Sequence, residues 1–347
     1  MPSPPIIAVT IGDPAGIGPE IVARACAEPA AVRTSRPVVI GAAAAMREAL
    51  ALVGSPLALS VVARVGDCRW TPGTLEVLDL ANVDMAALPR AEVSAEAGRA
   101  AYAYVERAVA LARAGEIHAI VTAPLNKEAL AAAGVPHAGH TEILAALSGT
   151  RDFAMLLVGR DLRVIHVTTH VPLSRVPELV TRERVLRTIR LAQQALEGLG
   201  LPRGRIAVAG LNPHAGEDGL FGDEERTAIA PAIEAARAAG LAVTGPLPAD
   251  TVFSRARGGE FDIVVAMYHD QGHIPVKTLG FEYDETRKRW TGLSGVNVTV
   301  GLPFLRVSVD HGTAFDRAWK GTANHESMLE AIEVAARMLA ARSGARA

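Results

Sequence analysis

The sequence feature that most limits the fold is a short apolar run that stops abruptly at polar residues. Residues 261–268 are dominated by apolar and β-branched side chains, and His269 and Asp270 follow at once. A short run of this kind predicts a strand buried in a parallel sheet. Ligands of open α/β sheets bind beyond the carboxyl ends of such strands. We therefore expect His269 and Asp270 at the mouth of a site, with Lys277 one loop away.

Two other apolar runs end in the same way. Residues 162–169 lead to His170, and residues 205–213 lead to His214. Neutral imidazole is a common metal ligand, and catalytic metal sites are often built from three protein ligands and one open position. The alternative is three unrelated loop histidines, because surface loops are polar by default. The shared place of the three histidines at strand ends favours a metal site.

The composition restricts the class of protein. The chain has 347 residues, of which 50% are hydrophobic and 21% charged, so it is long enough for two globular domains. The apolar share comes mostly from Ala, Val and Leu, which favours α/β layers over a β-sandwich. The net charge of −2 gives no electrostatic signature of nucleic-acid or anionic-membrane binding. No apolar run reaches the ~18 residues that a membrane span needs.

The small number of cysteines indicates a reducing compartment. Cys26 and Cys68 are the only two, which is no disulfide framework for a chain of this length. The N-terminus also lacks the basic and apolar regions of a signal peptide. We therefore expect a cytoplasmic protein that binds neither nucleic acid nor membrane.

Apolar runs of strand length alternate with helical patterns along the chain, which predicts mostly parallel sheets. The first strand, residues 6–11, runs into the glycine-rich turn Gly12–Glu20. A strand, such a turn and a helix can point backbone N–H groups at an anion, so Gly16 and Gly18 are candidate ligand contacts. The alternative is a plain tight turn, because the spacing matches neither a dinucleotide-binding fingerprint nor a Walker A loop.

Three polar residues other than the candidate metal ligands could have either a structural role or a role in the site. The sequence pattern alone leaves both roles open. Thr141, after Gly139 and His140, is either a helix cap or a ligand contact. Asp250 is either the cap of the following helix or a group of the site. Arg306 on its own is most simply an exposed strand residue.

Seven motifs, taken in chain order, resemble those of the 4-hydroxythreonine-4-phosphate dehydrogenase family, which serves pyridoxal phosphate synthesis. The motifs are Gly12–Glu20, Gly139–Glu142, Thr169–His170, Leu211–Glu217, Tyr268–Gly272, Gly295–Thr299 and Ser308–Ala314. The resemblance covers nearly the whole chain. It implies the isocitrate/isopropylmalate dehydrogenase-like α/β fold, with two α/β/α domains, a cleft between them and a homodimer.

The resemblance also implies how the chain is divided. Residues 1–125 together with 312–347 would form the nucleotide-binding domain. Residues 126–311 would form the domain for metal, substrate and dimerisation.

The resemblance assigns roles to particular residues. His170, His214 and His269 are the implied ligands of a divalent metal, either zinc or magnesium, cobalt or manganese, and the partner subunit completes the site. The substrate-binding positions are His140, Thr141, Lys277, Asn297 and Arg306, to which we add Asp250. The positions for NAD or NADP are His311, Gly312, Thr313, Ala314 and Asn324, to which we add Gly16 and Gly18.

The implied reaction is oxidation of the secondary alcohol of 4-phosphohydroxy-L-threonine to a β-keto acid, which decarboxylates to 3-amino-2-oxopropyl phosphate. Lys277 and Asp270 are the candidate catalytic residues, with Lys277 either an anchor or a proton relay. The segment Phe281–Trp290 is longer than in the vitamin-pathway members. In this it resembles the branch that converts D-threonate or D-erythronate 4-phosphate to dihydroxyacetone phosphate.

Two other classes of function remain as alternatives. One is a three-histidine metal hydrolase, and the other is a non-catalytic protein that binds a phosphorylated ligand. The loop His311–Ala314 favours the dehydrogenase, because a hydrolase has no need of a nucleotide loop.

Overall fold

A computed structural model describes residues 3–137, 139–159, 161–280, 282–286, 289–291 and 295–344. The chain forms two compact units. Unit 1 comprises residues 1–151 and 302–339, and unit 2 comprises residues 152–301 and 340–347. Strands alternate with helices in both units, which confirms the predicted α/β class. The assignment of nucleotide, metal and dimer functions to sequence ranges stays a prediction.

The strands, numbered in chain order, are as follows. They are β1 (Ile6–Thr10), β2 (Arg36–Gly41), β3 (Ala58–Val62), β4 (Thr74–Asp79), β5 (Ala119–Thr122), β6 (Ala154–Val158), β7 (Arg163–His166), β8 (Ile206–Ala209), β9 (Val243–Leu247), β10 (Ile263–Ala266), β11 (Glu282–Asp284), β12 (Arg289–Thr291), β13 (Val296–Val300) and β14 (Leu305–Val309).

The α-helices are numbered in the same way. They are α1 (Gly18–Ala27), α2 (Pro29–Thr34), α3 (Ala43–Leu52), α4 (Ala95–Arg113), α5 (Lys127–Ala132), α6 (His140–Ser148), α7 (Val176–Leu179), α8 (Arg182–Gly198), α9 (Ala230–Ala238), α10 (Ala249–Arg257), α11 (His269–Gly280) and α12 (Glu326–Gly344). Short 3-10 turns occur at Val65–Asp67, Leu173–Arg175 and Pro213–Gly219, and a π-helical turn at Glu225–Ile229 precedes α9.

The sheet of unit 1 is parallel throughout, with strand order β3-β4-β2-β1-β5-β14. Its central strand β1 pairs with β2 on one side and β5 on the other, and Ile7 and Val9 are fully buried. A strand buried on both faces cannot alternate apolar and polar residues, which is why this segment reads as a continuous apolar run.

The sheet of unit 2 has strand order β13-β6-β7-β10-β8-β9. The strands β13, β6 and β7 pair antiparallel, and β7, β10, β8 and β9 pair parallel. The strands β7, β10 and β8 are those that precede the three candidate histidines. Because the three are adjacent and parallel, their carboxyl ends meet at one edge of the sheet, as the sequence predicted.

Two segments differ from the sequence-based expectation. The residues from His269 to Lys277 form the first part of α11 rather than a loop, and the helix continues through Pro275. The longer segment that begins at Phe281, for which periodicity predicts no strand, contains the antiparallel hairpin β11–β12. Strands of three residues are too short for periodicity to reveal. Phe281, which belongs to the same longer segment, lies outside the described residues.

None of the described helices combines the length and apolar character that a bilayer crossing requires.

Candidate active site

His269 begins α11 directly after strand β10, and Asp270 holds its ring. The His269 Nδ1 atom lies 2.6 Å from Asp270 Oδ1. This hydrogen bond, followed by the attraction of nearby positive charge, lowers the pKa of the Asp270 carboxyl. A carboxylate that accepts the Nδ1–H proton fixes the tautomer and leaves Nε2 as the lone-pair nitrogen. His269 is therefore prepared as an Nε2 ligand.

His170 lies beside His269. The two ring centroids are 5.7 Å apart, and both residues line a cavity of about 360 Å³. Two imidazoles that share one tetrahedral ion through nitrogens at about 2.1 Å have centroids roughly 5 Å apart. The loops that carry the two residues are tied together, because the backbone N–H and the hydroxyl of Thr168 both donate to Met267 O. The pair fits two ligand positions of one ion.

His214 is presented by a left-handed turn. Five consecutive residues from His214 to Asp218 have positive φ, between 44° and 84°. Such a conformation is costly for residues other than glycine, so the surrounding structure must hold it. The buried carboxylate of Glu225 does so, because Oε1 accepts the N–H groups of Leu211 and Asn212 at 2.7 Å each. A side chain at Gly216 would collide with this carboxylate.

The described residues of one chain contain no group of three or more His, Cys, Asp or Glu side chains close enough to hold a metal ion. His170 and His269 come together, and the third implied ligand, His214, does not join them in such a group. The donor chemistry still suits a divalent ion, since His170 and His269 are paired and Asp270 orients the His269 ring.

Two more histidines form a stack behind His269. The ring of His273 lies parallel to that of His269, with centroids 3.7 Å apart, and His166 lies 4.7 Å beyond His273. His166 is fully buried, and its Nδ1 atom lies 3.1 Å from Met155 O. Burial lowers the pKa of His166 to about 3. His166 is thus a neutral histidine of the buried core behind His269.

Gln271 connects two of the histidine-bearing segments. Its side chain accepts the Met267 N–H at 2.6 Å and donates to Gly210 O at 2.8 Å. Met267 follows β10 and Gly210 follows β8, so one buried amide fixes the spacing of these two strand ends. Gln271 therefore has a structural role.

A second group of candidate residues lies in unit 1. Arg306, in β14, is almost fully buried and donates to Thr122 Oγ1 at 2.9 Å. Burial lowers the pKa of its guanidinium to about 9. Burial, and then the positive charge of Arg306, hold the pKa of His140 well below its ordinary value. Within the described part of the chain, the buried His140 Nε2 atom has no hydrogen-bond partner. A buried cation beside a neutral imidazole suits an anionic ligand.

Thr141 lies inside helix α6 and does not cap it. The helix begins at His140 with Gly139 as its N-cap, which makes no side-chain cap hydrogen bond. The sequence left open whether Thr141 caps the helix or contacts a ligand, and Gly139 holds the cap position. Thr141 is therefore in the first helical turn, next to His140, where its role as a substrate contact stays a prediction.

Lys277, Asn297 and Asp250 all belong to unit 2. Lys277 is half-buried in α11, seven residues after Asp270 and thus on the same side of the helix as that carboxylate. Its charge is among those that lower the pKa of Asp270. Asn297 is buried in β13 opposite Leu157. Asp250 is exposed in the first turn of α10, which shows no side-chain cap.

The implied nucleotide loop lies in unit 1 and packs on the glycine-rich turn. Thr313 is buried, and a side chain at Gly16 would meet its Cβ at 3.0 Å. A side chain at Gly18 would collide with Ile11 O. Both glycines are thus required by close packing, and their role as ligand contacts stays a prediction.

The loop His311–Ala314, which the resemblance implies for the nucleotide, is open at Gly312. A side chain at Gly312 would meet no described atom within 4 Å, so the backbone there leaves room for a ligand. The Nδ1 atom of His311 lies 3.1 Å from Gly312 O. Asn324 Oδ1 accepts the Glu326 N–H at 2.8 Å and so fixes the start of α12.

Sequence reasoning missed three residues that build the site. Gln271 and His273 lie in or beside a motif that the resemblance rests on, so a search for buried polar residues around His269 would have found them. Glu225 follows Asp223 and Glu224, and a run of acids at a helix start reads as a solvated face.

Histidines and an acid lie at the carboxyl ends of parallel strands, and a buried arginine lies beside a histidine elsewhere in the chain. This combination is typical of an α/β enzyme that acts on a small anionic substrate.

The family follows from comparison with known proteins. The sequence model described as "Pyridoxal phosphate biosynthetic protein PdxA" matches residues 33–335. The chain belongs to this family and is an oxidoreductase of the PdxA type.

Individual relatives agree with that assignment. D-threonate 4-phosphate dehydrogenases from Pectobacterium atrosepticum and Cupriavidus necator are each 50% identical to this chain. The matches cover 95% and 98% of this chain and 98% of each relative. The crystal structure of 4-hydroxythreonine-4-phosphate dehydrogenase from Klebsiella pneumoniae is 49% identical, with a TM-score of 0.86 over 97% of this chain and 98% of that one. The chain therefore has the fold of solved members of the family.

Proposed function

We propose that this chain oxidises D-threonate 4-phosphate with NAD or NADP and a divalent cation. The product is a β-keto acid, which loses carbon dioxide to give dihydroxyacetone phosphate. The observation that carries this proposal is the near-full-length identity of about one half to relatives named for that substrate. D-erythronate 4-phosphate, which differs from it in stereochemistry, is the nearest related substrate.

A second candidate substrate is 4-phosphohydroxy-L-threonine, which would give 3-amino-2-oxopropyl phosphate. The name of the family and that of the Klebsiella pneumoniae structure favour it. The two substrates differ in one group, an amine in place of a hydroxyl, and share the phosphate, the carboxylate and the oxidised alcohol. The same anion-binding and cation-binding residues can therefore serve either.

Arg306 and His140 are proposed to bind an anionic group of the substrate. The guanidinium is buried, and its fork of N–H donors matches the oxygens of a phosphate or carboxylate. His140 is neutral, so it adds a hydrogen bond without a second charge to desolvate. Thr141, Lys277, Asn297 and Asp250 are the other proposed substrate contacts.

The proposed ligands of the cation are His170, His214 and His269. Three imidazoles are best suited to zinc or another transition metal. When bound, the cation would polarise the substrate hydroxyl, and a nicotinamide nucleotide would take the hydride. The proposed nucleotide contacts are His311, Gly312, Thr313, Ala314 and Asn324, together with Gly16 and Gly18.

Asp270 and Lys277 are proposed to act on protons. Asp270 keeps the Nδ1–H proton of His269 in place, and its lowered pKa keeps the carboxylate ionised. Lys277 lies on the same side of α11 as Asp270, where its ammonium can anchor an anionic group or take the proton that the substrate hydroxyl releases.

A homodimer with a shared site is proposed from exposed apolar residues. Leu173, Leu220 and Ile274 are 68%, 72% and 63% exposed. Each follows one of the three candidate histidines by no more than six residues. Apolar side chains exposed beside a polar site are typical of an interface between subunits. The buried thiols of Cys26 and Cys68, both free, suit a reducing cytoplasm.

The test is a substrate panel. Chelator-treated protein is supplied with zinc, magnesium, cobalt or manganese, with NAD or NADP, and with each of the three phosphorylated acids. Reduced nucleotide and carbon dioxide are measured together.

We expect the highest kcat/KM with D-threonate 4-phosphate and no turnover without added cation. A higher kcat/KM with 4-phosphohydroxy-L-threonine would favour the second candidate. Release of inorganic phosphate without reduced nucleotide would instead indicate a hydrolase, and tight binding without any turnover would indicate a binding protein.

A further inference from the structure

The glycine-rich motif Gly12–Glu20 is buried along its whole length and holds the loop 313–321. The Ile17 N–H donates to Thr313 O at 3.1 Å, next to the contact between Gly16 and Thr313. Its contacts include the loop that carries the proposed nucleotide residues.

Trp319 lies at the far end of this loop in a conformation that needs support. Its φ of 58° is in the left-handed region, which bulky residues adopt rarely. Its indole N–H donates to Pro14 O at 3.1 Å, and the guanidinium of Arg90 lies 4.7 Å from the ring centroid. Its backbone N–H donates to Glu20 Oε1.

Glu20 is the centre of this arrangement. Its side chain is fully buried, and its Oε1 atom accepts the backbone N–H of Trp319. The backbone N–H groups of Lys320 and Gly321 are near enough to oppose the rise in its pKa that burial causes. One turn later in α1, Arg24 donates to Gly321 O at 2.5 Å. One acid and one base of the same helix therefore hold the two ends of the segment 319–321.

We infer that Glu20, assisted by Arg24, is a positioning residue for the nicotinamide nucleotide, holding loop 313–321 in the form that receives it. The inference rests on the proposed function, since it takes the nucleotide to bind at Thr313 and Ala314. A loop held in place before binding loses less conformational freedom on binding, so the hydrogen bonds to Glu20 add to nucleotide affinity without touching the nucleotide.

The chain offers a closely matched control at Glu76, in the same unit. Glu76 is also buried, and its Oε1 accepts the N–H groups of Arg69 and Trp70 at 3.1 and 3.0 Å. Trp70 also has a left-handed φ, of 47°, and Arg36 lies over its ring at 5.1 Å. The two glutamates thus perform the same structural task, but only Glu20 holds the proposed nucleotide loop.

The experiment compares Glu20→Gln with Glu76→Gln. Glutamine keeps the shape and replaces one acceptor oxygen by an N–H₂ donor, which faces backbone donors. Dissociation constants for NADH and NADPH are measured by calorimetry, and Michaelis constants for nucleotide and substrate are measured separately. Thermal unfolding of both variants measures their loss of stability. It shows whether a loss of nucleotide affinity is larger than the loss of stability alone would cause. Arg24→Lys, which alters the Gly321 contact and leaves Glu20 in place, is the second variant.

For Glu20→Gln we expect a rise of about tenfold in the nucleotide Kd and KM, and a substrate KM within about twofold of wild type. Arg24→Lys should raise the nucleotide Kd by a smaller factor, and Glu76→Gln should leave it unchanged at a similar loss of thermal stability. Equal nucleotide Kd values for wild type, Glu20→Gln and Arg24→Lys would overturn this inference alone. Failure of the wild-type protein to bind either nucleotide would overturn the proposed function and this inference together.

Discussion

The imidazole rings of His273 and His269 are stacked, with centroids 3.7 Å apart and planes 11° from parallel. His273 is buried, and its Nδ1 atom lies 3.1 Å from His269 O. His269 is held at its edge by Asp270 and on one face by His273. A ligand ring held on two sides loses less freedom when it binds an ion, so His273 should contribute to metal affinity.

We expect His273→Leu to weaken zinc binding by about tenfold, the lower end of the range for residues that support metal ligands. His273→Phe keeps a flat ring against His269 and should lose less. Calorimetric titration of the chelator-treated variants measures both. If the leucine and phenylalanine variants bind zinc with the affinity of wild type, the stack has no part in holding the ligand.

Glu225 is expected to control the left-handed turn that carries His214. Its two oxygens accept the backbone N–H groups of Leu211 and Asn212 and the amide of Asn212. Glu225→Gln replaces one of these acceptors by a donor and should lower the free energy of unfolding by about 2 kcal/mol. Urea unfolding measures the change.

The control for Glu225 is Asp223→Asn, two residues earlier. Asp223 pairs with Arg226, but both side chains are mostly exposed, so the change in stability should be within about 0.5 kcal/mol. An equal loss in the two variants would mean that the burial of Glu225 is irrelevant to its role.

The predictable part of the site is the part that strand topology determines. An apolar run of strand length followed by a histidine places that histidine at a known edge of a parallel sheet, and β7, β10 and β8 proved to be neighbours. These conclusions needed only the period of the side chains and the rule for ligand edges.

The residues that hold the site were not predictable by the same reasoning. Glu20, Glu76 and Glu225 are buried acids that accept backbone N–H groups from loops outside their own helix or strand. The partner is 299 residues away for Glu20, 6 and 7 for Glu76, and 13 and 14 for Glu225. A glutamate in a helix or strand gives no sign in the sequence that a loop will close on it. For Thr141 the sequence left two roles open, and only the structure excludes the cap, because Gly139 holds the N-cap position.

Arg306 provides a test of the proposed anion contact. Arg306→Lys keeps a positive charge but loses the planar fork of donors, so we expect the substrate KM to rise by about tenfold or more. The nucleotide Kd should stay the same, because the arginine is proposed to touch the substrate only. Steady-state kinetics and nucleotide calorimetry separate the two effects.

Arg113→Lys is the matched control for that substitution. Arg113 lies in the same unit, is exposed, and donates to Leu147 O at 2.9 Å. Its replacement should leave both constants unchanged. A substrate KM for Arg306→Lys equal to that of this control would exclude Arg306 as the anion contact.

Asp13, in the glycine-rich motif, should make stability depend on pH. Its side chain is fully buried, and burial raises its pKa from 3.8 to about 6, against the opposing effect of the hydrogen bond from the Ala15 N–H. Between these values the native state keeps the proton that the unfolded state releases. The free energy of unfolding therefore falls as pH rises through this window, by about 3 kcal/mol in total, and the contribution is constant above the native pKa.

Asp13→Asn removes this ionisation while keeping the oxygen that accepts the Ala15 N–H. The stability of the variant relative to wild type should therefore increase by about 3 kcal/mol as pH rises from about 4 to about 7. Urea unfolding at several pH values measures the difference. Asp84→Asn is the control, because the Asp84 Oδ1 atom accepts the Ala86 N–H in the same type of turn at an exposed position. A step of equal size in that control, or a flat difference for Asp13→Asn, would contradict burial of the Asp13 carboxyl as the cause.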